Sequence, residues 1–280
     1  MKTTALSHST ICAAALLLFG VSSTKATLVL YYSFNDGAAS ATDFSGNGHS
    51  GTINGPVYSA LGGGYNNTPG RSMDFNGFSD IIVVDDGATA FDSLMTTGAA
   101  TISFWIFGDV LGDPRPGSPC TNFSAFNGSG IRQLMGHVPW EDGVVYFDVA
   151  GQAPGVNRIF KDATADQFEG RWNHWMFIKE GSGATGLSSI YLNNTLFHSA
   201  TTTAAFDDIE SFYVGGNGQR GDEGYHGLID EFAVWDHALS PAERTTVFNG
   251  TIPEPGSAAF LVAAGLMLVA RRVRVGVRFA

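Results

Sequence analysis

At 280 residues, 44% hydrophobic and 12% aromatic, the chain has the material for a real core, which excludes a disordered protein. Its 36 glycines and scarcity of long helix-forming stretches favour many short strands over a helical bundle. The net charge of −11 understates the acidity of the middle: setting aside residues 1–26 and 251–280 removes six of fifteen basic residues and one of 26 acidic ones, leaving −16, a surface that repels phosphate backbones and argues against nucleic acid.

In chain order, Lys2 precedes an apolar run from Ile11 to Val21, and small residues at Thr24 and Ala26 follow. This is the pattern of a signal peptide over residues 1–26, read by signal peptidase, with cleavage after Ala26. Only Cys12 and Cys120 are present, and Cys12 lies in the segment to be removed, so the mature chain has no internal disulfide. A strand then begins, with Leu28, Leu30, Tyr32 and Phe34 on one face by alternation. Further strand-like runs are Ile81 to Val84, Thr101 to Phe107, Ile131 to Met135, Val144 to Val149, Trp172 to Lys179, Ser189 to Leu192, Phe212 to Val214 and Leu228 to Trp235.

Asn193-Asn194 marks a hairpin turn. One short helix is predicted, opening at Ser240-Pro241-Ala242-Glu243 with a capping serine, a proline at the first helical position and a glutamate that reaches back, and ending near Asn249-Gly250. No repeat or linker divides the strands, so residues 27–250 read as one unit.

Residues 251–280 are different. Pro253-Glu254-Pro255 breaks the chain before an apolar run from Ser257 to Ala270, and Arg271, Arg272 and Arg274 follow. The run is about 14 residues, below the roughly 20 that span a bilayer, although Val273 and Val275 extend it to residues 257–275 and arginines can snorkel. Positive charge on its far side keeps that end cytoplasmic. The arrangement resembles the PEP-CTERM sorting signal. That resemblance implies a transmembrane helix held transiently in the inner membrane, recognition by an exosortase, and delivery to the surface or exterior of a Gram-negative cell.

The middle resembles the laminin-G-like, concanavalin-A-like lectin/glucanase family. The likeness is carried in order by Leu30-Tyr31-Tyr32-Ser33-Phe34, Asp43-Phe44-Ser45-Gly46-Asn47-Gly48-His49-Ser50-Gly51, Gly70-Arg71-Ser72-Met73-Asp74-Phe75, Thr101-Ile102-Ser103-Phe104-Trp105, Trp172-Asn173-His174-Trp175, and Gly227-Leu228-Ile229-Asp230-Glu231-Phe232. It implies an all-β fold, a jelly-roll β-sandwich of two antiparallel sheets, followed by the transmembrane segment.

Asp230 stands out because alternation places it with Leu228, Phe232 and Val234, and a buried carboxylate needs a cation or several hydrogen bonds. The family resemblance implies a structural Ca²⁺ held by Asp43, Asn47 and Asp230, with the backbone oxygen of His49, and oxygen-rich ligands suit calcium. The alternative is a carboxylate satisfied by backbone amides. Trp105, Trp172 and Trp175 lie within strand-like runs and read as core fillers rather than sugar platforms.

A glycoside hydrolase of this fold would need two carboxyls roughly 5 to 9 Å apart across a cleft. None of Glu141-Asp142, Asp207-Asp208-Ile209-Glu210, Asp222-Glu223 or Asp230-Glu231 gives a Glu, Asp, Glu series at alternate positions inside an apolar strand. The histidines form no close zinc-type pair. Two long polar loops remain, Gly108 to Gly130 and Gly215 to Gly227, and loops at one end of a rigid sandwich are the usual place for recognition. Asn217, Gln219, Arg220, Asp222, Tyr225 and His226 in the second would suit a sugar, the alternative being a loop that binds nothing. The sequence reads as an exported, non-catalytic surface or matrix protein that takes part in adhesion or contacts extracellular polysaccharide or other glycan. A polysaccharide-degrading enzyme and a purely structural matrix component are the rivals.

Overall fold

The structure, a computed structural model, describes residues 27–66, 70–109 and 119–252. The expected signal peptide and the sorting residues Pro253, Glu254, Pro255, Arg271, Arg272 and Arg274 lie outside the described residues. Among the described residues no helix is long and apolar enough to cross a membrane.

The strands are β1 (Leu28–Tyr32), β2 (Gly51–Asn54), β3 (Val57–Tyr58), β4 (Met73–Asn76), β5 (Ile81–Val84), β6 (Ala100–Gly108), β7 (Phe123–Phe126) and β8 (Arg132–His137), then β9 (Val144–Val149), β10 (Arg158–Asp162), β11 (Asn173–Glu180), β12 (Leu187–Leu192), β13 (Thr195–Thr201), β14 (Ser211–Val214) and β15 (His226–Trp235). They form two antiparallel sheets. One runs β13-β12-β11-β6-β15-β4-β3 with β1 also on β15; the other runs β10-β9-β8-β7-β14-β5-β2. This is the expected jelly-roll sandwich, and the expected runs from Ile81 and from Val144 coincide with β5 and β9.

The sheets face each other across a layer of aromatic rings. Phe104 lies within 5.9 Å of Phe123, Phe177 and Phe232, and Phe123 in turn meets Phe147 and Phe212. All six side chains are buried. Large rings in offset and edge contacts contribute about 0.5–1.5 kcal/mol per pair beyond the burial of their area. Turn chemistry sets the register at the edge, where Asn193 and Asn194 both take positive φ, as a two-residue hairpin between β12 and β13 requires.

The short helices α1 (Gly87–Ala90), α2 (Asp92–Thr97) and α3 (Ala165–Phe168) lie in the connections, and the helix expected after Ser240 is α4 (Pro241–Phe248), with the full capping box between Ser240 and Glu243. It packs on the outer side of the eight-stranded sheet, where Leu28, Met176, Ile178, Trp235, Leu239 and Val247 form a second apolar cluster.

Two expectations from strict alternation fail, and the reason is the same in both. The β1–β15 register shifts between Leu28 and Leu30, so Val29, Leu30, Tyr32 and Phe34 enter the main core whereas Leu28 turns out toward α4. The β15–β6 register shifts between Asp230 and Ala233, with Glu231 at φ 52. A bulge inserts one residue and reverses the facing of everything beyond it. Ile229, Phe232 and Val234 therefore point into the core, and Asp230, opposite Trp105, sits on the outer side. At this bulge the outer neighbour of β15 changes from β4 to β1.

Candidate functional site

The carboxylates singled out for calcium have separate donors. Asp43 Oδ1 accepts from Tyr31 N and Ser45 N, and its Oδ2 accepts from Ser45 Oγ at 2.7 Å and His49 N at 2.8 Å. Asn47 donates to the Leu28 and Val29 carbonyls, and the His49 carbonyl accepts from Tyr32 Oη. These residues fold the glycine loop onto β1. Asp230 instead accepts from Tyr65 N at 3.0 Å and Glu231 N at 2.9 Å. Asp43, Asn47 and His49 thus bond within the glycine loop and to β1, whereas Asp230 bonds to Tyr65 and Glu231, so the four residues serve two separate hydrogen-bond networks. Among the described residues no cluster of three or more His, Cys, Asp or Glu side chains could hold a metal ion.

Asp230 and Glu231 nonetheless form an unusual pair. Burial pushes the Asp230 carboxyl up to about 8, with the Glu231 charge adding to it, and burial raises Glu231 as well. Tyr31 Oη donates to Glu231, and Asn35 lies 3.5 Å from it.

The loop between β14 and β15 does form a site, but with different members. Gly215 starts it at φ 83, and a Cβ there would lie 1.9 Å from the Phe75 ring, so only glycine fits. Ser124 Oγ, on the outer side of β7, donates to the Gly216 carbonyl at 2.9 Å and accepts from Gly218 N at 3.3 Å. The loop is thereby clamped flat on the seven-stranded sheet. A Cβ on Gly218 would strike the Tyr213 ring at 2.1 Å.

Within the loop, buried Glu223 accepts from Asn217 Nδ2 at 2.7 Å and from Arg220 Nη1 at 3.1 Å. Asn217 Oδ1 accepts from Gln219 N. Asn217, Gln219 and Arg220 line a cavity of about 290 Å³ beside Phe78 and Ile81.

The other expected ligand residues do not join them. Tyr225 is wholly buried against Phe75 and cannot stack on a sugar. His226 belongs to β15 and lines a different depression with Asp74 and Asp109, 3.9 Å from the Asp109 carboxylate. Asp222 is exposed and lines neither cavity beside the loop.

Arg220 also lines a neighbouring cavity of about 220 Å³, walled by β8, β9 and β10. Its chemistry follows from alternation. Val145, Phe147 and Val149 enter the core, which leaves Tyr146 and Asp148 on the outer face, with Arg158 across from Asp148. A register shift beside Arg132 brings its guanidinium to the same place. Asp148, fully buried, accepts from Arg132 Nη1 at 2.5 Å and holds Arg158 through both Nε and Nη2. The Arg158 guanidinium lies 4.5 Å from the Tyr146 ring centre.

Trp140 and Asp142 come from the tight turn before β9. Asp142 accepts from Val144 N and from Tyr146 Oη at 2.6 Å, and burial together with this carboxylate pushes the Tyr146 hydroxyl up to about 12. Trp140 is partly exposed, with its ring set edgewise 4.6 Å from His137. His137 Nδ1 donates to the Cys120 carbonyl at 2.7 Å, leaving Nε2 as the acceptor nitrogen, and burial lowers its pKa to about 4 so that the ring is neutral.

The cavity thus offers guanidinium donors, carboxylate and imidazole acceptors, and two aromatic rings. Sequence reasoning missed Arg132, Trp140, Tyr146, Asp148 and Arg158. A tryptophan in a turn, between Pro139 and Glu141-Asp142-Gly143, was the available signal. The strand tryptophans serve packing: Trp175 is in the core, Trp105 lies between Tyr65 and Phe248, and Trp172 rests on Phe107.

Comparison with solved structures gives the same architecture. Domain 4 of AbnA, an extracellular GH43 arabinanase from Geobacillus stearothermophilus, in complex with arabinotriose, matches with a TM-score of 0.56 and 22% identity over 79% of this chain and 98% of that one. The receptor-binding domain of botulinum neurotoxin C/D mosaic serotype matches with a TM-score of 0.57 and 13% identity over 80% of this chain. The neurotoxin DC binding domain in complex with SialylT matches with a TM-score of 0.56 and 10% identity. This chain spans about half the length of the toxin domains. At these identities the likeness is one of fold. No curated protein matches the chain. The model of the concanavalin A-like lectin/glucanases superfamily matches residues 83–243, more than half of the chain, and the chain belongs to that superfamily.

Proposed function

We propose that the protein is a non-catalytic glycan-binding protein of the cell exterior, and that the cavity around Trp140, Arg132, Arg158 and Arg220 is its binding site. The observation that carries this reading is a partly exposed tryptophan beside an arginine–carboxylate network whose members are held in place from below by buried Asp148 and Glu223. Sugars need a ring to stack on and fixed donors and acceptors for their hydroxyls. The arabinotriose and SialylT complexes of the similar folds agree with a binding role. The carboxyls that burial raises, Asp230, Glu231 and Asp74, lie in the other sheet, away from this cavity. On a glycan array the purified protein should bind, and Trp140→Ala should reduce binding at least about tenfold, the loss of one stacked ring. Undiminished binding by that variant would remove the cavity from consideration.

Export and sorting complete the proposal. Pro253-Glu254-Pro255, the apolar run and Arg271, Arg272 and Arg274 would direct the chain to an exosortase. Replacing Pro253, Glu254 and Pro255 by alanine should leave membrane insertion intact and block trimming and surface delivery in an exosortase-bearing host. The mass and location of the exported protein provide the readout, and a triple variant trimmed and displayed normally would reduce the motif to a linker.

A further inference from the structure

The two cavities beside the loop share Arg220 as a common wall. Each alone, at about 220 and 290 Å³, falls below the roughly 300 Å³ at which small-molecule sites begin, and together they fall within the usual range. Each also has its own ring. Trp140 stands in the first, and Phe78, 71% exposed, stands in the second. The Phe78 ring stands open at the edge of a polar depression and offers a face on which a sugar ring can stack.

Charge decides the class of chain. Arg132 and Arg158 share Asp148, Arg220 is paired with Glu223, and Asp142 brings the third carboxylate, so three guanidinium groups face three carboxylates. No net positive charge remains to hold a uronate or a sulfate. The surrounding surface, at −16 over residues 27–250, repels such chains at longer range. Paired guanidinium and carboxylate groups still present both donors and acceptors, which is what neutral hydroxyls need.

Building on the glycan-binding reading above, we infer that the two cavities form one groove for an uncharged polysaccharide chain, which crosses at Arg220 and stacks on Trp140 at one end and Phe78 at the other. The site then reads an internal stretch of chain, not a terminal sugar.

The test is calorimetric titration of the purified full chain with arabino-, xylo-, cello-, manno- and galacto-oligosaccharides of two to six units, and with oligogalacturonates of the same lengths. At least one neutral series should gain about tenfold in affinity between two and five units, as a second stacked ring allows. Phe78→Ala should erase that gain without lowering the melting temperature, and affinity should hold between about 50 and 500 mM NaCl, since no net charge is neutralised. Equal affinity for short and long chains would reduce the site to one cavity. Tighter, salt-sensitive binding of oligogalacturonate would overturn the neutral class; both outcomes leave the glycan-binding reading standing. No binding across the whole panel would overturn that reading and the inference with it.

Discussion

In chelator, stability should fall as pH rises from about 4 to about 8, and Asp230 should account for most of the fall. Its carboxyl is pushed from 3.8 to about 8 by burial, so in this window the folded chain holds a proton that the unfolded chain has released. Because the native state binds more protons, unfolding becomes easier with each step of rising pH. The stabilisation is complete below the unfolded value and gone above the folded one. At 1.36 kcal/mol per unit, the full swing is on the order of 5 kcal/mol, and Glu231, raised in the same direction, adds to it. Asp230→Asn, which keeps one acceptor oxygen and has no charge to bury, should flatten the curve; an unchanged curve in that variant would place the pH dependence elsewhere.

The same measurement in millimolar CaCl2 tests the calcium expectation in the form the geometry leaves open, with Asp230 and Glu231 as the anionic pair. A cation against them would hold both ionised, remove the slope and raise the melting temperature. Coincident curves in chelator and calcium would end that proposal.

The second large effect is expected at Asp148. Asp148→Ala deprives Arg132 and Arg158 of their shared partner while both guanidinium groups stay largely covered, at 20% and 21% exposure. Removing one member of a buried charge cluster costs about 3–5 kcal/mol, which at this size corresponds to roughly 10 °C in melting temperature. Replacing the three together, with Asp148→Leu, Arg132→Met and Arg158→Met, should recover most of the stability, because no buried charge is then left alone. It should not recover glycan binding. A drop of less than about 2 °C in Asp148→Ala would show that solvent reaches the arginines and that the cluster is not a structural unit.

The fold was legible because its elements announce themselves locally. Val144 to Val149 alternates, Asn193-Asn194 can take positive φ, and Ser240 and Glu243 cap each other, so strand, hairpin and helix follow from neighbours in sequence. The cavity around Trp140 was less legible because its members come from β8, β9, β10 and a distant loop and meet only through pairing. Arg132 and Asp148 are sixteen residues apart and Arg220 much farther. Bulges hid the rest. Alternation assigned Asp230 to the face of Phe232, and one inserted residue at Glu231 turned it to the opposite side. Tyr225 misled for the converse reason: amid polar loop residues it reads as a contact group, yet it is the anchor that holds the loop against Phe75.

The pairing of β1 with the last half of β15 brings the two ends of the folded region together. Thr27 and Asp236 bond to each other through backbone and side chain, and Ile252 packs into the same apolar cluster as Leu28. That cluster lies on the outer side of the eight-stranded sheet, whereas the groove is on the outer side of the seven-stranded one, with the thickness of the sandwich between them. A protein tethered through the residues after 252 would stand on its α4 side like a plaque on its mount. Its sugar-facing surface would be turned outward, so tether and ligand would not compete for space, and a chain bound in the groove would lie parallel to the cell surface and free to reach a neighbouring copy.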